Sequence, residues 1–476
     1  MIIAREKELR ILRDTLSSGR SEFVAVYGRR RVGKTFLVRE AFDGKFLFQH
    51  AGIHGENREA QIKAFCQSLR DAGLQQTGQP RNWLEAFQLL KQVIKNSSAK
   101  KKVIFLDELS WMYTHKCDLI PALENFWNGW ASARKDVVLI VCASATSWMV
   151  NKIVHNRGGL YNRLTEQIWL QPFCLGECEQ YVNALHLPMG RDQIIEMYMI
   201  AGGVPYYWSL LKREQSLPQN IDRLFFAPDA PLQHEYDYLY SSLFEQPASY
   251  LRVVKILGNN KEGLSFSEIQ KEIGVNQGGT LTGILSDLEY CGFIRSFKSF
   301  GNKKRGTMYQ LIDNFSTFHF KFLANKTNDA HFWSHKYDAP GTNSWRGLAF
   351  ERVCLWHISQ IKKALGIAGI YTEYSSWKCL PNEAEGIAGA QIDLVIDRAD
   401  KIVTLCEMKY YNKVYSMTKH DYESLKSKVD SFRRVTKTQK GISLAMVTTN
   451  GITRNANSSN VDVSIVSDDL FSIVKE

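Results

Sequence analysis

Between Gly28 and Thr35 the chain reads Gly-Arg-Arg-Arg-Val-Gly-Lys-Thr, which sets two glycines, a lysine and a hydroxyl at fixed offsets. Glycine at Gly28 and Gly33 lets backbone amides turn inward around a phosphate, with Arg29, Arg30, Arg31 and Val32 completing the loop. Lys34 brings a point charge to the β and γ phosphate oxygens of a nucleotide, and Thr35 offers a hydroxyl to magnesium. The flanks suit this chemistry: Phe23 to Tyr27 is a short apolar strand, and Thr35 to Phe42 continues as a helix. ATP and magnesium are therefore the expected ligands. A glycine-bounded turn that binds nothing has no need of Lys followed by Thr at a helix N-terminus.

A second strand, Val103 to Leu106, ends in Asp107-Glu108, an acidic pair at the carboxyl edge of the same expected sheet, where ligands of open α/β sheets bind. Asp107 is expected to hold the water shell of the magnesium ion, and Glu108 to orient and deprotonate the attacking water. A third strand, Val137 to Ala143, leads to Ser144 and Thr146. Ser144 is the preferred reporter of the γ-phosphate and Thr146 the second; a serine here also suits a helix cap. Arg157 and Arg163 follow in HNRGGLYNRLT, and each fits an arginine finger, in the same or a neighbouring subunit, as well as a surface charge.

Near the other end, Asp393 lies in QIDLVID and Glu407-Met408-Lys409 in IVTLCEMKYY, two apolar runs that read as strands. The strand period of two puts Glu407 and Lys409 on one face, so that Glu407 can share a magnesium ion with Asp393 while Lys409 stabilises an attacked phosphate or orients water. The same charges also suit an ion pair on a sheet that only binds. This arrangement resembles the PD-(D/E)XK nuclease fold, and by that resemblance Glu351, on a helix opening at Trp345, matches an acidic residue that many such enzymes carry on their first helix.

Elements of several kinds must position these groups. At 476 residues the chain is expected to form about three domains. Hydrophobic residues at 44% and charged residues at 23% exclude a disordered or fibrous chain. Lys and Arg exceed Asp and Glu by 60 to 49, and the net charge of +11 favours polyanionic partners. The nine cysteines are scattered, with Cys174 and Cys178 the only close pair, so reduced thiols are expected. MIIAREKELRIL lacks the apolar core and cleavage site of a signal peptide, and no apolar run reaches membrane-spanning length, which places the protein in the cytoplasm with no membrane partner.

Leu9, Leu12 and Leu16 predict an amphipathic first helix; strands at Lys45 to Gln49, Val103 to Leu106 and Val137 to Ala143 alternate with helices at Asn82 to Lys95 and Leu119 to Ala131. Such alternation predicts a parallel sheet covered by helices. From Leu175 to Leu239 the pattern turns helical, like a lid, broken by Ala201-Gly202-Gly203-Val204-Pro205. Helices at Tyr250 to Leu257, Ser265 to Ile273 and Thr280 to Cys291, then strands at Phe293 to Phe297 and Met308 to Ile312, read as a winged helix-turn-helix. Its second helix offers Thr280, Thr282 and Ser286 but no Arg or Lys, poor material for base reading, whereas Arg295, Lys298, Lys303, Lys304 and Arg305 supply a wing suited to phosphate. A packing module with solvated cations fits the same residues. A linker from Asn325 to Ser344 precedes a helix from Trp345 to Lys363, strands at Gly369 to Tyr374, Gln391 to Asp397, Lys401 to Tyr410 and Ile442 to Thr448, and a polar helix at Tyr415 to Arg434. The expected fold class is thus α/β: a P-loop parallel sheet with helical lid over 1–240, a winged helix-turn-helix over 245–312, and an α/β restriction-endonuclease-like domain over 313–476.

Residues 1 to about 240 resemble the archaeal-type ATPases of the AAA+ and STAND-related group through IAREKEL, VYGRRRVGKT, FLDE, ASATSWM, GLYNRLTEQIWLQPF and AGGVPYY. That resemblance implies that Ile3 to Arg5 border the adenine pocket and that Gly203 to Pro205 sit in a lid sensing nucleotide state. Residues 313–476 resemble the DUF234-type region found behind this ATPase class. Three functions follow as expectations: an ATP-regulated, metal-dependent nuclease acting on nucleic acid, DNA favoured; a STAND-like switch, forming nucleotide-dependent homo-oligomers, whose C-terminal fold does not cut; and a DNA-binding regulator gated by the ATPase.

Overall fold

The computed structural model describes residues 2–75, 78–156, 158–244, 246–274, 278–298, 300–301, 306–325 and 327–474. The chain divides into two compact units, Met1–Pro172 and Phe173–Glu476. The boundary between the units falls within the span 1–240 expected for the ATPase core and lid.

In the first unit, strands β1 (Glu22–Tyr27), β2 (Phe48–Ala51), β3 (Lys102–Asp107), β4 (Val137–Ala143) and β5 (Glu166–Trp169) form one sheet in the order β2-β3-β4-β1-β5. Every pairing is parallel. Helices cover both faces of such a sheet, so its central strands are buried on both sides, and β4 is buried at all seven positions. The first helix, Glu6–Ser17, packs Leu9 and Leu12 into this core with Val24, Val38 and Ile140. Leu16, expected on the same face, is exposed, and Thr15 is buried in its stead. Asn57 and Asn82 cap the helices Arg58–Asp71 and Trp83–Asn96 by accepting from Ala60 N and Glu85 N. The strand expected at Lys45 to Gln49 begins three residues later, at Phe48.

In the second unit, the helix Arg191–Ala201 is buried from Ile194 onward, and the one acid in that buried stretch, Glu196, faces Arg346 across 2.7 Å. Gly203 makes the turn after it possible, because a Cβ there would come within 1.8 Å of Phe173 O. Helices Pro247–Asn259, Phe266–Ile273 and Gly278–Tyr290 accompany an antiparallel sheet of β6 (Leu264–Ser265, between the first two helices), β7 (Ile294–Lys298) and β8 (Thr307–Leu311) in the order β6-β8-β7. Pro340, expected in a linker, instead opens the helix Pro340–Trp356 at its first turn, where its missing N–H and fixed φ cost nothing. The single helix expected from Trp345 to Lys363 breaks at His357 and resumes as Ile358–Ala364.

The closing sheet comprises β9 (Thr372–Cys379), β10 (Ala390–Arg398), β11 (Ile402–Lys409), β12 (Gly441–Thr448) and β13 (Val463–Val466), in the order β13-β12-β11-β10-β9. Strands β9 to β11 pair antiparallel and β11 to β13 parallel. Trp377, Ile392, Val395, Leu405 and Phe432 form the core of one face. Phe432 belongs to the helix Lys419–Thr436, which starts at a Thr418–Asp421 capping box, four residues after the expected Tyr415.

Candidate functional site

The turn after β1 is shaped by glycine. Gly28 has φ +151 and a Cβ on it would approach Leu170 O to 2.3 Å, while Gly33, at φ +91, opens the helix Lys34–Ala41. Lys34 is buried, and its ammonium donates to Gly28 O and Arg29 O at 3.0 Å each and to Ser144 Oγ at 3.1 Å. Those carbonyls offer to the ammonium what phosphate oxygens would offer it. Thr35 Oγ1 donates to Asp107 Oδ2 at 2.7 Å, so the hydroxyl and the carboxylate that would share magnesium already adjoin. Val32 points down into the hydrophobic core, and only its backbone belongs to the loop.

Glu108 follows β3 in left-handed backbone, φ 45 and ψ 49, which costs an ordinary residue about 1–2 kcal/mol. Strain of that kind at a charged residue marks a position that the surroundings over-determine. Its carboxylate accepts from Ser144 Oγ at 2.6 Å and from Ser144 N at 3.1 Å. Ser144 thereby stands between the lysine and the glutamate, bonded to both. Thr146 is fully buried. Arg5 donates to Gln171 O at 2.6 Å, closing the first unit at its end. Arg163 is exposed ahead of β5, and among the described residues no hydrogen bond or ion pair joins it to the loop. Arg157 lies outside the described residues.

On the closing sheet, Asp393 sits one step beyond the Leu394↔Cys406 pair, which brings it opposite Glu407. Asp393 Oδ2 accepts Met408 N at 3.0 Å. Lys409 Nζ lies 3.0 Å from Glu407 Oε1, on the face that the period of two requires. Burial, with the Glu407 charge adding to it, pushes the Asp393 carboxyl up to about 6, and burial with Asp393 beside it pushes Glu351 up to about 7. Glu351, Asp393 and Glu407 thus feel one another's charge, and a divalent cation would relieve that repulsion. Among the described residues, no three His, Cys, Asp or Glu side chains make a ready metal cage. Glu407 and Lys409 open into a cleft of about 80 Å³ with Tyr415, His420 and Lys428; Asp393 and Glu351 do not line it.

Lys428 is the residue that sequence reasoning missed. Its ammonium donates to both Glu407 oxygens, at 2.8 and 2.7 Å. A signal exists in its spacing: Lys428 falls three residues after Leu425 and four before Phe432, so a cation occupies the apolar stripe of its helix. The expected wing also needs correction. Arg295 is buried rather than offered to phosphate, and donates to Gln310 Oε1 at 2.8 Å and Ser376 Oγ at 2.9 Å. Lys298 is exposed. Lys303, Lys304 and Arg305 lie outside the described residues. On Gly278–Tyr290, Thr280 and Thr282 are exposed and Ser286 is half-buried.

A parallel sheet whose first strand runs through a glycine loop into a helix, with acids ending β3 and a serine ending β4, defines a P-loop ATPase core. Residues 2–211 match the family described as an ATPase domain predominantly from Archaea. Over 420 residues the chain is 24% identical to an uncharacterized protein of Methanocaldococcus jannaschii, covering 86% of this chain and 88% of that one. Among solved structures, it is similar to a Walker-type ATPase of Pyrococcus abyssi (TM-score 0.46, 15% identity, 66% of this chain and 95% of that one). It is also similar to the ORC2 protein of Aeropyrum pernix in complexes with ADPNP and ADP (TM-score 0.38, 14% identity, 66% and 91%). Among the described residues no helix is long and apolar enough to cross a membrane.

Proposed function

We propose that this ATPase hydrolyses ATP with Glu108 as the base and is coupled to a nucleic-acid-binding, magnesium-dependent nuclease-like site in the second unit. Thr35 and Asp107 would hold one ion, and Asp393 and Glu407 another, while Lys34 holds phosphate and Lys409 faces the attacked phosphodiester. Bound magnesium would polarise a phosphoryl oxygen and acidify a water. Glu108, fixed by Ser144, accepts a proton from the attacking water; Ser144 reports the phosphate because it touches both Lys34 and Glu108. The helices and hairpin of residues 247–311 are proposed as a winged helix that contacts the nucleic-acid backbone, with DNA favoured and Lys298 as a phosphate contact.

The observation that carries the nuclease reading is geometric: Asp393 lies opposite Glu407 across β10 and β11, with the Lys409 ammonium 3.0 Å from Glu407 on the same face, and burial with mutual charge raises the Asp393 and Glu351 carboxyls beside them. A second reading is a nucleotide-controlled switch, assembling with its own copies, whose C-terminal fold does not cut. The clamp of Lys409 and Lys428 on Glu407 favours it, since two ammoniums already balance that carboxylate. Steady-state phosphate release with and without DNA separates the two: turnover raised by DNA supports the first reading, and slow turnover indifferent to DNA supports the switch.

A further inference from the structure

Strand β10 carries a bulge. Its register on β9 runs from Ile392↔Trp377 directly to Val395↔Ser375, so Asp393 and Leu394 together oppose Ser376 alone. A bulge leaves part of the backbone ladder unpaired and re-aims the side chain at that point. Here the Asp393 carbonyl is satisfied by Ser376 Oγ, which donates to it at 3.0 Å. Ser376 in turn accepts from Arg295 Nη2 at 2.9 Å.

Arg295 comes from β7, in the other sheet of this unit. The residue is 9% exposed, and its guanidinium lies 4.7 Å above the Phe297 ring and is anchored by Gln310 Oε1, whose amide donates to Lys261 O at 2.6 Å. Burying a guanidinium is costly unless its hydrogen bonds are specific, and the one that leaves its own hairpin goes to the residue that closes the bulge. From the hairpin to the acidic cluster there is thus a continuous line: Gln310, Arg295, Ser376, and the backbone of Asp393.

We propose that Arg295 and Ser376 are positioning residues for Asp393: they hold the bulge that turns its carboxylate toward Glu407, and so tie the β7–β8 hairpin to the cation site. This rests on the reading that Asp393 and Glu407 hold a divalent cation. Neither Arg295 nor Ser376 touches the ion; they act through the bulge alone. Loss of a residue that orients a metal ligand from behind typically costs about 10–100-fold in affinity.

The test is manganese binding to the full chain without nucleotide, followed by electron paramagnetic resonance, with the site defined as the signal lost in Asp393→Ala. Ser376→Ala is expected to weaken that site about tenfold or more. Ser376→Thr, which keeps the hydroxyl, is expected to stay near wild type. Arg295→Lys, which keeps the charge but not the fork, is expected to fall between them. Thermal unfolding is followed in parallel, so that affinity lost only in proportion to the unfolded fraction counts against the proposal. Unchanged affinity in Ser376→Ala overturns the positioning role while leaving the cation site standing. Binding in the wild type no different from Asp393→Ala overturns the cation site, and the proposal with it.

Discussion

Glu108→Gln should separate binding from hydrolysis in the first unit. The substitution keeps side-chain length, the left-handed backbone at φ 45, and an oxygen to accept from Ser144 Oγ. It replaces the other carboxylate oxygen with an amide that cannot accept the Ser144 N–H now bonded at 3.1 Å. One hydrogen bond to a charged group is lost, worth about 1.5–3 kcal/mol in full and less at a half-exposed residue, so stability should fall by about 1–2 kcal/mol. Turnover should fall far more, by about 10²–10⁴, the usual contribution of a positioned general base, equivalent to about 3–5 kcal/mol of barrier. Nucleotide affinity should stay within about threefold, because no bond from Lys34 or Thr35 changes and a factor of three is well under 1 kcal/mol. Phosphate release measures the first effect, and titration with a fluorescent ATP analogue the second. Turnover within tenfold of wild type would refute the assignment of Glu108 as base, as would loss of binding in parallel with turnover.

Four further outcomes follow from the same geometry. Lys34→Ala removes the ammonium at the centre of the loop and should abolish ATP binding or hydrolysis; a variant that binds and turns over ATP normally would contradict the loop assignment. Arg346→Met removes the cation from Glu196, in a pair whose partners are 2% and 3% exposed, and leaves its carboxylate with the Tyr337 hydroxyl at 2.6 Å; it should cost about 3–5 kcal/mol in urea denaturation, most of it recovered when Glu196→Leu is added. His357 is buried, with Nε2 accepting Leu175 N, and burial lowers its pKa to about 4. The unfolded chain takes up that proton near 6.5 and the folded chain only near 4, so this stabilisation is complete above pH 6.5 and is lost as pH falls toward 4. Between pH 7 and pH 5 the loss should be about 2 kcal/mol, and should vanish in His357→Asn. Lys428→Met frees Glu407 from one competing ammonium and should tighten manganese binding about threefold to tenfold, in keeping with about 1 kcal/mol for a half-buried ion pair; weakened binding would contradict the competition.

Much of the first unit was legible because the strands of a parallel sheet, buried on both faces, write themselves as apolar runs, and because a phosphate loop needs its residue types in order. β5 was not read as a strand: at the sheet edge only Ile168 is buried, so Glu166 to Trp169 shows no run to recognise. Residues 173–240 were grouped with the core from a helical pattern alone, and helical periodicity says nothing about which neighbour a helix packs on. Pro340 read as a linker, since at the first turn of a helix proline leaves the same trace as in a loop. Of the C-terminal residues, Asp393, Glu407 and Lys409 were legible from strand period, whereas Lys428 and Ser376 reach the cluster from elements whose register only the folded chain fixes. Arg295 misled most: a cation in a basic stretch suggested solvent and phosphate, but its side chain is buried.

The most direct test of the proposed nuclease-like site is cleavage itself. Single- and double-stranded DNA and RNA are incubated with the full chain in magnesium or manganese, with and without ATP, beside Asp393→Ala and Lys409→Ala. Cleavage by the wild type that disappears in both variants is the result expected. Intact nucleic acid under every condition, with ATP turnover preserved, would contradict it and leave the second unit as a binding and switching module.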